Sequence, residues 1–318
     1  MHNKSQAPIP PLLVILFGII AVSTSSIFIR FAQKEAPSLV IAAVRLTLAS
    51  LILTPIALTR QRHELARLQR KELLLALLSG FFLAVHFASW ISSLEYTSVA
   101  SSVVLVSTSP LWVALLTPFV LRESLSRWIV AGLSLALIGS VIVGISDVCN
   151  WGSASLICPP ISDFVKGKAF LGDILALTGA IMGAGYILIG RQLRVGMSLT
   201  TYIFLVYGMA ALVLLIIMVI AGQTPFGYSP HIYLLFLLLA IVPQLLGHSS
   251  FNWALGYLSA AYVSITLLGE PVGSTILTYF ILQESPGIIK IIGAILILAG
   301  ILMASKRTSL PDQEIANR

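Results

Sequence analysis

Charge is what this sequence has least of. Of its 318 residues, 19 are Lys or Arg and 12 are Asp or Glu, a tenth of the chain, where a soluble globular protein carries roughly a quarter. So few charges cannot coat a water-exposed surface, which excludes a cytosolic enzyme and, despite the net charge of +7, a nucleic-acid-binding protein. Cysteine is nearly absent: Cys149 and Cys158 are the two in the chain, and one pair gives no disulfide framework. The familiar catalytic signatures are missing as well. There is no His-Glu-x-x-His, no P-loop, no Gly-x-Ser-x-Gly and no closely spaced acidic pair inside an apolar stretch, so ATP-driven work would need another chain. No cofactor and no metal site is expected, because no His or acid completes a ligand set around the cysteines.

What the chain has is apolar length. Hydrophobic residues make up 58% of it and the mean hydropathy is +0.99. Charges and turn residues cut it into ten stretches near 11–30, 38–59, 72–93, 96–120, 126–146, 169–190, 198–221, 231–254, 257–282 and 286–305. Each approaches the ~20 residues that one bilayer crossing needs, and none alternates like a membrane barrel strand. The fold class is therefore an all-α polytopic membrane protein with ten transmembrane helices. Glycines inside the stretches, among them Gly132, Gly139, Gly179 and Gly183, suit close helix contacts, although glycine is common in membrane helices generally. The first stretch follows a short tail and precedes further spans, so it reads as a retained helix.

Orientation follows from the basic residues. With the amino terminus inside, Lys4, Arg60, Arg62, Arg67, Arg70, Lys71, Arg122, Arg127, Arg191, Arg194, Lys306, Arg307 and Arg318 fall on the inner side. Arg30, Lys34, Lys166, Lys168 and Lys290 fall outside, and Arg45 lies within a helix. This bias predicts both termini cytoplasmic, in a cell (plasma or inner) membrane, and makes the lipid bilayer a partner. It puts Cys149 and Cys158 in an external loop at 147–168, where a disulfide and two free thiols are both compatible with the pattern.

Shifting the chain by 161 residues superposes its halves. Leu94 falls on Leu255, Tyr96 on Tyr257, Ala100 on Ala261, Pro110 on Pro271, Thr117 on Thr278 and Phe119 on Phe280. Glu123 and Ser124 then meet Glu284 and Ser285, and Gly132 and Gly139 meet Gly293 and Gly300. Residues 11–146 and 169–305 are thus read as two copies, flanked by tails at 1–10 and 306–318. Each copy holds five helices, an odd number, so the second must be inserted upside down. Inverted repeats of this kind are the architecture of carriers whose substrate lies near the membrane midplane.

These residues resemble a known family. The five-plus-five layout, the run Ser109-Pro110 through Arg122-Glu123-Ser124 to Gly132 and Gly139, its partner Glu270-Pro271 through Gln283-Glu284-Ser285 to Gly293 and Gly300, and Ala43-Val44-Arg45 are similar to the ten-helix EamA-type branch of the drug/metabolite transporter superfamily. The resemblance implies a secondary transporter that moves a small-molecule substrate, probing no further than amino acids, metabolites or drugs as a class, and implies export. It also implies that the third and eighth helices help line the cavity. A membrane-embedded enzyme acting on lipids is the alternative, and a receptor or scaffold a third class with less need of inverted copies.

Deep polar groups supply the candidate site. Glu270 and Arg45 are the two charges deep within spans, and each such group costs on the order of 3 kcal/mol at the bilayer centre. Glu270, just before Pro271, is a candidate substrate contact or proton carrier. Arg45, roughly 10 Å from the outer end of its helix at the helical rise, is read as a structural tie across helices, with an anionic substrate group as the competing role. His86 and Trp90 are four apart on one helix face, and His248 and Asn252 repeat that spacing after a shift of 162; all four are expected substrate contacts, and His86 and His248 further candidates for proton coupling. Ser107 and Tyr186, with Ser23, Ser26, Thr108 and Trp112, are weaker candidates. Pro110 and Pro271 are expected hinges, and Glu123 and Glu284 caps or partners for nearby cations.

Overall fold

The computed structural model describes residues 7–97, 99–146, 150–151, 156–157, 168–283 and 287–306. Cys149, Cys158, Glu284 and Ser285 lie outside the described residues. Among the described residues, ten helices are long and apolar enough to cross a membrane. In order they are Pro11–Ala32, Ser38–Arg60, Arg70–Tyr96, Ser101–Val120, Arg127–Gly144, Lys168–Arg194, Leu199–Ile220, Pro230–Ala254, Ala260–Ile281 and Ile288–Ser305, called here the first to the tenth span. The third begins earlier than its apolar run because Gln69 and Glu72 form a reciprocal capping box that satisfies the free amides of the first turn. The chain between the fifth and sixth spans adds a two-residue strand pair, Asn150–Trp151 with Leu156–Ile157. Large apolar side chains point away from the bundle, Phe119 and Ile220 about four-fifths exposed at 79% and 81%. Such surface is stable against lipid and costly in water.

Several spans are interrupted. In the first, helices Pro11–Ser23 and Ser25–Ala32 meet at Thr24, where the hydroxyls of Ser23 and Thr24 donate to the carbonyls of Ile19 and Ala21, a back-bonding that bends helices. The fourth is split into Val99–Val106 and Ser109–Val120, the ninth into Ala260–Leu267 and Gly269–Leu282. The two breaks fall at equivalent places in the 161-residue register, just before Pro110 and Pro271, because proline has no amide to continue the ladder. Both broken spans also end alike, with Arg122 and Gln283 at φ of 56° and 57°. The eighth span carries a π-helix at Ala240–His248, around Pro243, which no apolar periodicity announced.

The packing repeats under exchange of the halves. The third span lies along the sixth as the first lies along the eighth, the second meets the seventh, and the fifth meets the tenth. The last pair is self-complementary. A Cβ added at Gly132 would sit 2.5 Å from the carbonyl oxygen of Gly300, and one at Gly139 would sit 2.6 Å from that of Gly293. The two contacts run in opposite order along the two helices, so these spans are antiparallel. Each contact is the image of the other under the repeat, as an isologous two-fold contact requires. The two five-helix halves are therefore inverted copies.

Because no side chain fits at this crossing, Gly132→Val and Gly300→Val should each destabilise the bundle by about 2 kcal/mol, the usual cost of overpacking. Gly196→Ala, with no atom within 4 Å of the new Cβ, should be silent. Melting of the detergent-purified protein compares the three, and equal melting points would show that the crossing tolerates bulk.

Candidate functional site

The site is built first on the third span. His86, Phe87 and Trp90 face the sixth span, whose glycines leave room for them: a Cβ at Gly183 would lie 2.9 Å from His86 Nδ1 and one at Gly179 would lie 3.2 Å from Trp90 Cβ. His86 Nδ1 is 2.7 Å from the Gly179 carbonyl oxygen. A carbonyl only accepts, so Nδ1 carries the proton and the neutral ring offers Nε2 as an acceptor. The Trp90 ring stacks on His86 at 6.0 Å and 23°, and its Nε1 is buried with no hydrogen-bond partner. Phe87 holds this cluster together. Its ring lies 5.1 Å from His86, 5.5 Å edge-on from His248 and 4.6 Å from the Arg45 guanidinium.

Opposite this face, Tyr186 of the sixth span donates to Asn252 Oδ1 at 2.7 Å, and Asn252 Nδ2 donates to Tyr207 Oη at 3.2 Å. Tyr207 lies 3.2 Å from the Ser249 hydroxyl and reaches the Gln244 carbonyl at 3.5 Å. Gln244 Oε1 in turn accepts from Arg45 Nε at 2.9 Å, and Ser25 Oγ accepts from Arg45 Nη1 at 3.1 Å. Arg45 is fully buried behind the cavity wall and does not line the cavity. Its hydrogen bonds tie the first, second and eighth spans together.

The groups line a cavity of about 250 Å³, slightly smaller than the ~300 Å³ at which small-molecule sites usually begin. His86, Trp90, Ser107, Pro110, Tyr186, His248, Asn252, Glu270 and Pro271 all line it. Glu270 sits in the first turn after the break in the ninth span, half-buried, and its carboxylate takes no hydrogen bond or ion pair from the described residues. Beside it, Ser26 and Ser274 share a hydrogen bond of 2.7 Å. Ser23 lies outside the lining and donates to the Glu270 backbone carbonyl at 3.2 Å. Thr108 and Trp112 also lie outside it and bond to each other at 3.3 Å along the fourth span.

One sequence argument is corrected. His248 and Asn252 are not the repeat images of His86 and Trp90. Gly18 of the first span packs on Ser250, the Gly247 carbonyl and Phe251, whereas its image Gly179 packs on Ser89, the His86 carbonyl and Trp90. The register is thus 161 here too, and the images of His86 and Trp90 are Gly247 and Phe251. Ser89 and Ser250 agree, each donating to the carbonyl four residues earlier. His248 and Asn252 come one residue later, about 100° around the helix. Phe251 was missed for the same reason, although the 161 register leads to it. Lys290, counted in the sequence only as an outer-side charge, lies in the first turn of the tenth span and lines the cavity. Phe87 carried no signal beyond apolarity.

Arg191 and Arg194 lie behind the cavity wall and bond the backbone carbonyls of two residues that line it, Leu255 and Asn252. Arg191 Nε pairs with Glu123 Oε1 at 2.9 Å. Nearby, Glu64 of the short helix Arg62–Arg67 clamps the start of the seventh span, accepting from the Ser198 amide at 2.7 Å and from the hydroxyls of Ser198 and Thr201.

Ten spans in two inverted copies around a central, mixed polar and aromatic cavity define a class of membrane protein built to hold a small solute inside the bilayer. The comparisons narrow this class. The model of the EamA-like transporter family matches twice, at residues 9–145 and 170–306, the same 161-residue displacement that relates the halves. The chain belongs to the EamA-like transporter family. An uncharacterized transporter of Archaeoglobus fulgidus is 23% identical over 89% of this chain and 93% of its own length. Uncharacterized transporter YxxF of Bacillus subtilis is 24% identical over 96% of this chain and 91% of its own. A solved crystal structure with 17% sequence identity superposes with a TM-score of 0.70, covering 93% of this chain and 96% of that one, which shows the fold. The protein is a multi-pass membrane transporter.

Glu64 gives a test of the clamp on the seventh span. Burial pushes its pKa up, but the Ser198 and Thr201 hydroxyls, the Ser198 amide and the Arg194 charge outweigh this and hold it below the ordinary 4.5. A carboxyl lowered on folding stabilises the fold above its unfolded pKa, and that contribution is lost as pH falls through the folded value. The melting temperature of the wild type should therefore drop between pH 5 and 3 (roughly the carboxylate range) more steeply than that of Glu64→Gln. Parallel curves would show that the clamp carries no ionic share.

Proposed function

We propose that the protein is a secondary carrier that exports a small polar or amphipathic solute by alternating access, with both termini in the cytoplasm. The observation that supports this most is the cavity between inverted halves, lined from both copies and bordered by helix breaks at matched positions. Two copies of one five-helix unit, oppositely inserted, are able to exchange conformations at nearly equal energy, giving states open to either face. Irregular backbone at membrane depth is tolerated where it lines a water-filled space, and the breaks before Pro110 and Pro271 do so. They are the proposed bending points.

The proposed solute sits against Trp90, Phe87 and Phe251, with Glu270 as its charged contact. The Glu270 carboxylate has no hydrogen bond or ion pair among the described residues and feels only the charge of Arg45 behind the wall, so a proton or a cationic group beside it would stabilise it. Glu270 therefore binds either the amine of a substrate or a coupled proton. His86 and His248 offer further proton sites, and Tyr186 and Asn252 present a braced polar wall. Inner-side placement of the basic residues supports the orientation, and the family likeness supports export. The names of the relatives and the family favour transport over chemistry on lipids.

Reconstituted protein should give saturable flux of at least one member of a panel of labelled amino acids, metabolites and amphipathic amines. Glu270→Gln should flatten the pH dependence of that flux or weaken apparent affinity by on the order of tenfold, with Trp90→Ala weakening affinity at unchanged pH dependence. Absence of all flux from protein that turns over lipid would transfer the case to an enzyme. A Glu270→Gln carrier with wild-type flux at every pH would reduce Glu270 to packing.

A further inference from the structure

Three spans are tied together at one end of the cavity by two arginines on one helix face. Arg191 and Arg194, three apart at the end of the sixth span, both reach the C-terminal end of the eighth. Arg191 Nη1 donates to the Leu255 carbonyl at 2.9 Å, and Arg194 Nε donates to the Asn252 carbonyl at 3.0 Å. A helix C-terminus leaves its last carbonyls without intrahelical partners and bears the negative end of the helix dipole, so guanidinium groups suit it. Arg191 also holds Glu123, which follows the left-handed residue Arg122 at the end of the fourth span. The Arg191 side chain is 8% exposed and that of Glu123 26%, so the pair is largely out of water. Asn252 joins this layer to the cavity, because its carbonyl takes Arg194 while its side chain takes Tyr186.

The repeat gives Arg191 a counterpart. A shift of 161 carries Arg191 to Arg30, at the end of the first span, and Leu255 to Leu94, at the end of the third. Arg30 is exposed and makes no side-chain hydrogen bond among the described residues. Lys290, which lines the cavity, lies at that same end of the bundle. The two ends of a symmetric molecule are thus tied differently: Arg191 ties one, whereas at the other Arg30 takes no part and the hydroxyls of Thr97 and Ser101 donate to Asp173 at 2.8 and 2.6 Å.

We infer that Arg191, with Glu123 and the Leu255 carbonyl, is a latch that holds one face of the carrier shut, and that Arg30 is its alternate, engaging the third-span terminus at Leu94 when the first is released. Both latches cannot be closed while solute exchanges, so they are made in turn. This rests on the alternating-access reading. It adds which residues set the balance between the two states, and it requires that the two arginines act with opposite sign.

The test uses full-length protein with Cys149 and Cys158 replaced by Ser and a single reporter, Leu267→Cys, on the cavity wall. A membrane-impermeant maleimide is applied to each face in turn, alongside flux of a transported solute. Arg191→Gln and Glu123→Gln should each raise labelling from the latched face by on the order of tenfold, with Arg191→Lys intermediate, since it keeps the charge and loses the forked contact to Leu255. Arg30→Gln should lower labelling from the latched face. Monodisperse elution separates these effects from misfolding, and Arg191→Lys serves if Arg191→Gln does not fold. Flux with labelling unchanged by the Arg191 and Glu123 variants, or changed in the same direction by Arg30→Gln, would overturn the latch and leave the carrier standing. Labelling from one face alone in every variant, with no flux, would overturn the carrier itself.

Discussion

Two helix contacts with no side chain between them fix the rest of the architecture. Where Gly132 meets Gly300 and Gly139 meets Gly293, backbone lies directly on backbone. In lipid, where apolar side chains gain little from leaving a solvent as apolar as themselves, close packing of this kind is a principal source of helix association. The contact is its own image under the repeat, so it defines the axis about which the halves are inverted. The depth of the helix breaks, the central placing of the cavity and the pairing of the remaining spans follow from that axis.

Symmetry of the scaffold does not extend to the site. His86 and Trp90 have Gly247 and Phe251 as images, and the π-helix at Ala240–His248 belongs to one copy. The cavity is therefore lined by an imidazole and an indole from one copy, and by a phenyl ring with the Tyr186–Asn252 pair from the other. The halves share their helix crossings, while the residues that line the cavity have diverged. A π-turn is a recurrent way to re-aim side chains within a helix, and here it precedes His248 and Asn252.

Arg45 shows how a cost at membrane depth is offset without a carboxylate ligand. Its guanidinium donates to Gln244 and Ser25 and lies against the face of Phe87, an arrangement in which weak hydration of the guanidinium is an advantage. Through Gln244 and Tyr207 the same network reaches Asn252 and Tyr186, so the polar wall of the cavity is braced from behind. Arg45 Nη2 and Gln244 Nε2 make no hydrogen bond among the described residues, so the network braces the wall without being fully satisfied. Glu270 makes no hydrogen bond to that network and sits at a helix break, coupled to it only through the charge of Arg45.

The sequence by itself determined the ten spans, because apolar length sets what crosses a bilayer, and it determined the inverted repeat, because Pro110 with Pro271, Gly132 with Gly293 and Gly139 with Gly300 recur in one ungapped register. It pointed to His86, Trp90 and Glu270 because polar groups are rare at such depth and therefore conspicuous. It misaligned His248 and Asn252, since equal spacing along a helix says nothing of which face of the partner it opposes. Only the tertiary structure decided that face, placed Lys290 on the cavity and Arg45 behind it, and brought Glu123 to Arg191. Those outcomes depend on how helices far apart in the chain rotate and approach one another, and residues that meet across such contacts leave no periodicity along the sequence.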